Sequence, residues 1–245
     1  MAFSDLLENN KFYHDFQPIV DLACDQTVGY EALFRSGAFP NPESAYNKAI
    51  ESNQLYELDI RSIHEAVHSF LKAKPEVREK KLFLNAYPST ILNPDFSTAM
   101  SALLKLFPDG GRPLVLEIIE SEEIDNFEHL SRIIHSLKEQ GLLIAVDDFG
   151  KGMDNINRTI EVDADYIKLD RYFSINLCHS KKKQAYVSFI VQYCTQFQIK
   201  AILEGLETEK DIQLARGLGI HYAQGNLLGK PQAVHLEAGH SSDDL

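Results

Sequence analysis

The chain has 245 residues, of which 44% are apolar, and a formal net charge of −12. No apolar run approaches the roughly 20 residues of a membrane span, and the negative charge argues against binding DNA or RNA polymers, which relies on a basic surface. The length suits one large core or an α/β barrel.

Phe16–Leu22 and Val28–Arg35 read as strands joined by a short polar turn with Asp25 and Gln26, so the first pair is expected as an antiparallel hairpin. Helical stretches over 43–52 and 56–74 lead to a strand at Lys81–Tyr87. A helix over 95–107 leads to Leu114–Ile119, and one over 125–140 leads to Leu142–Phe149, whose continuous apolar run reads as a strand buried on both faces. A short helix, then Tyr166–Asp170, a helix over 183–198, Lys200–Leu206, a helix over 208–218 and Tyr222–Gly225 complete the order. Strand–helix alternation with short connections implies parallel strands and helical crossovers. Eight such strands predict an α/β fold closed as a single (β/α)8 barrel with an antiparallel first strand. No linker or internal repeat divides the chain. One domain over 1–245 is expected, with its core at about 12–232 and a disordered tail at 236–245.

Three cysteines, Cys24, Cys178 and Cys194, are odd in number and widely spaced, as reduced thiols are in a cytoplasmic protein. No signal segment opens the chain.

Chemistry collects at the strand ends. Glu31 and Arg35 stand there in EALFR, Asn85 in LFLNAY, Glu117 and Glu120 in LVLEIIES, and Asp147 with Asp148 in VDDFG. Lys168 and Asp170 follow in YIKLD, Glu204 and Glu207 in LEGLE, then Gln224. Taken singly, each is the ordinary residue of a helix cap or a solvated loop; six successive strands ending alike are not. A barrel gathers strand ends at one rim, where such folds hold their active sites. Carboxylate and amide oxygens favour hard cations such as Mg²⁺ or Mn²⁺. So many carboxylates predict two ions, a pairing suited to displacement at phosphorus. Asp147 is then the natural bridging ligand and Asp148 the ligand to the second ion.

Eight motifs in order, QPIVDL, EALFR, LFLNAY, LEIIES, VDDFG, YIKLD, LEGLET and YAQGNLLGKP, resemble those of the EAL-domain cyclic-di-GMP phosphodiesterases over about residues 12–232. The resemblance implies a two-metal site that opens one phosphodiester of cyclic-di-GMP to give linear pGpG in bacterial signalling. It implies the metal ligands Glu31, Asn85, Glu117, Asp147 and Asp148. Glu204 would act as a further ligand or as the base towards the attacking water. Lys168 would hold and polarise that water, with Asp170 in support. Gln17, Arg35 and Gln224 would line the substrate or order the site. Glu120 would tether the loop after the fifth strand, and Glu207 is grouped with it as loop-stabilising. Relatives often dimerise near that loop, so the resemblance allows a homodimer while the sequence leaves the oligomeric state open. The loop departs from the family pattern at Lys151, Met153 and Asp154. That departure supports an alternative reading, a receptor that binds cyclic-di-GMP or a protein partner without hydrolysis.

Two other readings are set aside. His64-Glu65-Ala66-Val67-His68 matches a zinc-peptidase pattern, but the histidines flank an apolar helical stripe, as boundary residues do, and no further histidine motif completes a ligand set. A glycosidase needs two carboxylates, not a ring of them with Asn and Lys. Lys181–Lys183 reads as a solvated helix start.

Overall fold

The computed structural model describes residues 3–107, 113–120, 122, 124, 126–150 and 155–234, with only the backbone for Asn155. Eight strands close into a barrel in chain order. They are β1 (Phe12–Asp21), β2 (Gln26–Ser36), β3 (Lys81–Ala86), β4 (Leu114–Ile118), β5 (Leu143–Phe149), β6 (Tyr166–Leu169), β7 (Lys200–Leu203) and β8 (Tyr222–Ala223). The expected antiparallel first strand is present. β1 runs antiparallel to β2, with Gln17 opposite Glu31, and antiparallel to β8, with Val20 opposite Ala223. The remaining neighbours are parallel. The hairpin is longer than its apolar pattern indicated, because Phe12 to Asp15 and Ser36 continue the ladder beyond the rim.

The helices are α1 (Phe3–Glu8), α2 (Pro42–Glu51), α3 (Leu55–Leu71), α4 (Pro75–Arg78), α5 (Pro88–Ile91), α6 (Phe96–Leu104), α7 (Phe127–Glu139), α8 (Asn155–Glu161), α9 (Arg171–Ser174), α10 (Lys181–Gln196) and α11 (Glu209–Gly217). Asn41, Asn126, Ser180 and Thr208 cap four of them by accepting backbone N–H bonds, as short polar side chains do at helix starts. Helix α1 was not legible in the sequence: six residues are too few for a periodicity. It is held by packing, since Phe3, Leu6 and Leu7 join Phe12, Phe34, Tyr46 and Leu58 in a small core beside the barrel. Among the described residues no helix is long and apolar enough to cross a membrane. The expected tail at 236–245 and the loop at Lys151–Asp154 lie outside the described residues.

Inside the barrel, Ile19, Phe83, Val115, Ala145, Tyr166 and Ile202 form one apolar layer. Gly29 belongs to the same level: a Cβ there would stand 2.7 Å from the Phe83 ring. Side chains two residues apart on a strand share a face, so the next layer towards the C-terminal ends of the parallel strands is determined. It reads Glu31, Asn85, Glu117, Asp147, Lys168 and Glu204, with Gln17 from β1 and Gln224 beyond β8. This polar layer lies directly on the apolar floor.

Candidate metal centre

One cation organises that layer. Lys168 is only 1% exposed, and its Nζ lies 2.8 Å from Glu204 Oε1, 2.9 Å from Glu117 Oε1, 3.0 Å from Asp147 Oδ1 and 3.3 Å from Glu31 Oε2. Burial disfavours its charge, yet Asp147, Glu117, Glu204 and Glu31 together hold its pKa well above the ordinary lysine range.

The carboxylates respond individually. Burial pushes Glu117 well above the usual range, reinforced by Glu31 and Asp147 and opposed by Lys168. Burial also raises Asp147, and it raises Glu204 to about 8. Glu31 alone moves down. Burial acts against its charge, but Lys168 and hydrogen bonds from Gln224 and Asn85 outweigh it. Four carboxylates around one ammonium carry three excess negative charges if all ionise, which a buried site does not tolerate without protons or further cations.

The backbone explains how adjacent aspartates serve one site. Between β5 and β6, Val146 pairs with Ile167 and Phe149 with Leu169. Three steps on one strand therefore oppose two on the other, which is a β-bulge. Asp148 occupies it with φ of 53°, a left-handed conformation that Asp tolerates better than most residues. The bulge keeps Asp148 from turning to the opposite face. Oxygens of Asp147, Asp148 and Glu204 lie within 4.8 Å of one another.

Gln17 and Gln224 order the ring. Gln224 Nε2 donates to Glu31 Oε2 at 2.7 Å and to Gln17 Oε1 at 3.0 Å, and Gln17 Nε2 donates to the Gly229 carbonyl at 3.1 Å. Asn85 Nδ2 donates to the other Glu31 oxygen at 3.2 Å, so Asn85 Oδ1 is the atom left for a cation. Arg35 stands four residues beyond Glu31 on the same face. Its Nε donates to Asp15 Oδ2 at 2.9 Å and its Nη1 to the Phe34 carbonyl at 2.9 Å.

The other sequence-derived residues are not part of the ring. Asp170 caps α9 through the Tyr172 N–H at 2.7 Å. Glu207 lies 3.4 Å from Arg171 at the surface. Glu120 lines a cavity of about 1150 Å³ that also takes in Glu31, Asn85, Asp147 and Asp148 and reaches Tyr46 and Asp59. The partner loop expected for Glu120 lies outside the described residues. His64 and His68 stand on α3 with ring centroids 6.4 Å apart. The cluster of metal-ligand type found among the described residues is the Asp147, Asp148 and Glu204 group. Sequence reasoning passed over Arg158, which is fully buried and donates to the Ile119 and Glu122 carbonyls, anchoring the segment after β4. It also passed over Asp15, Asp59 and His14, whose place in the pattern gave no chemical signal.

The ring fits a hard cation on its own chemistry. The donors are all oxygen, and Glu117 Oε2, fully buried, has no hydrogen-bond partner among the described residues.

Comparison with known proteins adds family membership. The family model described as EAL domain matches residues 1–231. The chain is 27% identical over 232 residues to the cyclic di-GMP phosphodiesterase PdeF of Escherichia coli, covering 93% of this chain and 31% of that protein. It is 26% identical over 216 residues to the blue light- and temperature-regulated antirepressor BluF of the same organism, covering 88% and 53%. The chain thus spans about a third to a half of the length of these relatives. Among solved structures, the manganese/cyclic-di-GMP complex of Klebsiella pneumoniae BlrP1 is 26% identical with a TM-score of 0.77, covering 91% of this chain and 56% of that one.

Proposed function

Because the chain belongs to the EAL domain family, we propose that it is a metal-dependent phosphodiesterase that hydrolyses cyclic-di-GMP to linear pGpG. The observation that carries this reading is the buried ring of four carboxylates on Lys168, with the bulged aspartate pair beside it. Such a ring is costly for a fold to keep unless cations occupy it. A relative named as a cyclic di-GMP phosphodiesterase and a manganese complex of a neighbour point the same way.

In this reading Glu31, Asn85, Glu117, Asp147, Asp148 and Glu204 hold two ions, Mg²⁺ or Mn²⁺. Those ions supply Lewis acidity, which makes water a nucleophile near neutral pH and neutralises phosphate oxygens. The chain's own residues do the rest. Lys168 holds the carboxylates in one arrangement and would help hold and polarise the attacking water. Glu204, whose pKa burial raises to about 8 in the metal-free protein, holds a proton there at neutral pH and would give it up on cation binding, which frees its carboxylate to act as a ligand or as the base towards the attacking water. Arg35, oriented by Asp15, presents its remaining N–H groups to a phosphate, where a guanidinium can engage two oxygens. Gln17 and Gln224 hold Glu31 in place, Asp170 orders the turn after Lys168, and Glu120 and Glu207 stabilise the rim loops.

We place this activity in the cytoplasm. The exposed apolar side chains of Ile156 and Ile160 on α8, with Tyr172 on α9 and Phe189 on α10, suit the face of a homodimer. Sedimentation of wild type against Ile160→Asp tests that assignment. The second reading, a cyclic-di-GMP receptor, is favoured by the unusual Lys151, Met153 and Asp154.

Product analysis decides between them. Purified protein is incubated with cyclic-di-GMP and Mg²⁺ or Mn²⁺, beside a chelated sample and Glu31→Ala. The phosphodiesterase predicts pGpG only in the metal-replete wild type. Saturable binding without product would make the protein a receptor, and neither outcome would leave only the fold.

A further inference from the structure

Asp59 is a carboxylate on the buried stripe of α3, among Leu58, Ile63, Ala66 and Val67, and it is 1% exposed. Burying a carboxylate costs several kcal/mol unless hydrogen bonds compensate it, so packing alone gives no reason for it. Its Oδ2 accepts the Tyr87 N–H at 2.9 Å, and its Oδ1 accepts the Tyr46 hydroxyl at 3.4 Å. The Tyr46 and Tyr87 rings stack with centroids 5.2 Å apart. One side chain therefore joins α2, α3 and the end of β3.

The end of β3 is where such a tie is needed. β2 pairs with β3 only through Glu31 opposite Phe83, after which β2 follows β1 alone. Among the described residues Asn85 and Ala86 pair with β4 alone, where Asn85 stands opposite Glu117 and the Ala86 carbonyl accepts from Ile119. On the open side no ladder holds the segment among the described residues, and the Asp59 bond to Tyr87 stands in that gap. Asn85 precedes Tyr87 by two residues and donates to Glu31 across it.

We propose that Asp59 is a positioning residue: through the Tyr87 N–H it substitutes for the missing β2–β3 ladder and holds Asn85 in register with Glu31 for cation binding. This rests on the proposed reading of Asn85 and Glu31 as metal ligands. It ties α3 to the metal centre through the Tyr87 N–H.

The test is Mn²⁺ binding to the metal-stripped full chain by titration calorimetry, which needs no substrate. Asp59→Ala is expected to weaken Mn²⁺ binding roughly ten- to hundredfold, as loss of a residue supporting a ligand does. Asp59→Asn keeps an oxygen for the Tyr87 N–H and is expected to bind within about threefold of wild type, by the same hydrogen-bond argument. Tyr87→Pro deletes the donor at a position whose φ of −74° and ψ of 141° suit proline, and it should reproduce the Asp59→Ala loss if that variant does not fold. In an Asn85→Ala background, Asp59→Ala should add little, because both act through one ligand. Undiminished Mn²⁺ affinity in folded Asp59→Ala or Tyr87→Pro would overturn the proposal, as would full additivity with Asn85→Ala. If the wild type itself binds no Mn²⁺, the metal reading fails and the proposal falls with it; that result is distinct from the variants matching a wild type that binds.

Discussion

Asp59 and His14 should make opposite contributions to the pH dependence of stability, and each can be unmasked by removing the other. Burial raises Asp59 from the usual 3.8 to about 7, against the lowering effect of the Tyr87 and Tyr46 hydrogen bonds. The folded state therefore binds a proton more tightly than the unfolded chain does. Stability from this group is fully present below pH 3.8 and lost as pH rises to 7, by about 4 kcal/mol at 1.36 kcal/mol per pH unit. His14 is buried, its Nε2 2.9 Å from Ser62 Oγ. Burial, with Arg35 nearby, lowers its pKa from 6.5 to about 4. Here the unfolded chain binds the proton more tightly, so stability is present above pH 6.5 and lost as pH falls to 4, by about 3 kcal/mol. Over pH 4 to 6.5 the two nearly cancel. Urea unfolding in chelator at fixed ionic strength measures this. The stability of Asp59→Asn minus that of wild type should climb by about 3 kcal/mol from pH 4.5 to 7.5 and then level. His14→Gln minus wild type should fall by about 3 kcal/mol from pH 4 to 6.5. Subtracting wild type removes the metal-site carboxylates common to both. A flat or falling Asp59→Asn difference would refute the argument.

Mn²⁺ affinity should rise with pH, because Glu117 and Glu204 hold protons that a cation must displace. Below pH 8 the gain is about tenfold per pH unit for each proton released; a dissociation constant unchanged between pH 6 and 8 counts against it. Lys168→Met should destabilise the metal-free protein by about 3–5 kcal/mol, since four buried carboxylates lose their counter-ion. In chelator that lowers Tm by about 2–4 °C per kcal/mol, and Mn²⁺ should raise the variant's Tm by more than the wild type's. Gly225→Ala would place a Cβ 2.2 Å from the Leu206 carbonyl oxygen. Overpacking of this kind costs about 1–3 kcal/mol, seen as a lower Tm; an unchanged Tm would show that the segment beside Gln224 yields freely.

The strand ends were legible because a barrel strand has two demands along one face. An interior residue such as Phe83, Val115 or Tyr166 must be apolar, and the residue two positions on sits at the mouth. Asn85, Glu117 and Lys168 therefore stand out against apolar runs, and their common level follows from the period of two. What that period cannot supply is a departure from it. Asp148, one residue after Asp147, belongs by alternation on the outer face, and only the bulge opposite Ile167–Leu169 keeps it at the mouth. Pairing register is a relation between strands, so a single strand's residues do not display it. Asp59 was hidden for a related reason. An Asp in an amphipathic helix ordinarily faces water, and here it faces a gap that exists only because β2 leaves β3 after Glu31. Asp170 adds a local relation of the same kind: its place two residues after Lys168 suits the mouth, and because β6 ends at Leu169 its carboxylate accepts the Tyr172 N–H and caps α9. Residues whose roles follow from one strand's own pattern can be read in one dimension. Those that answer where neighbouring strands part need the assembled barrel.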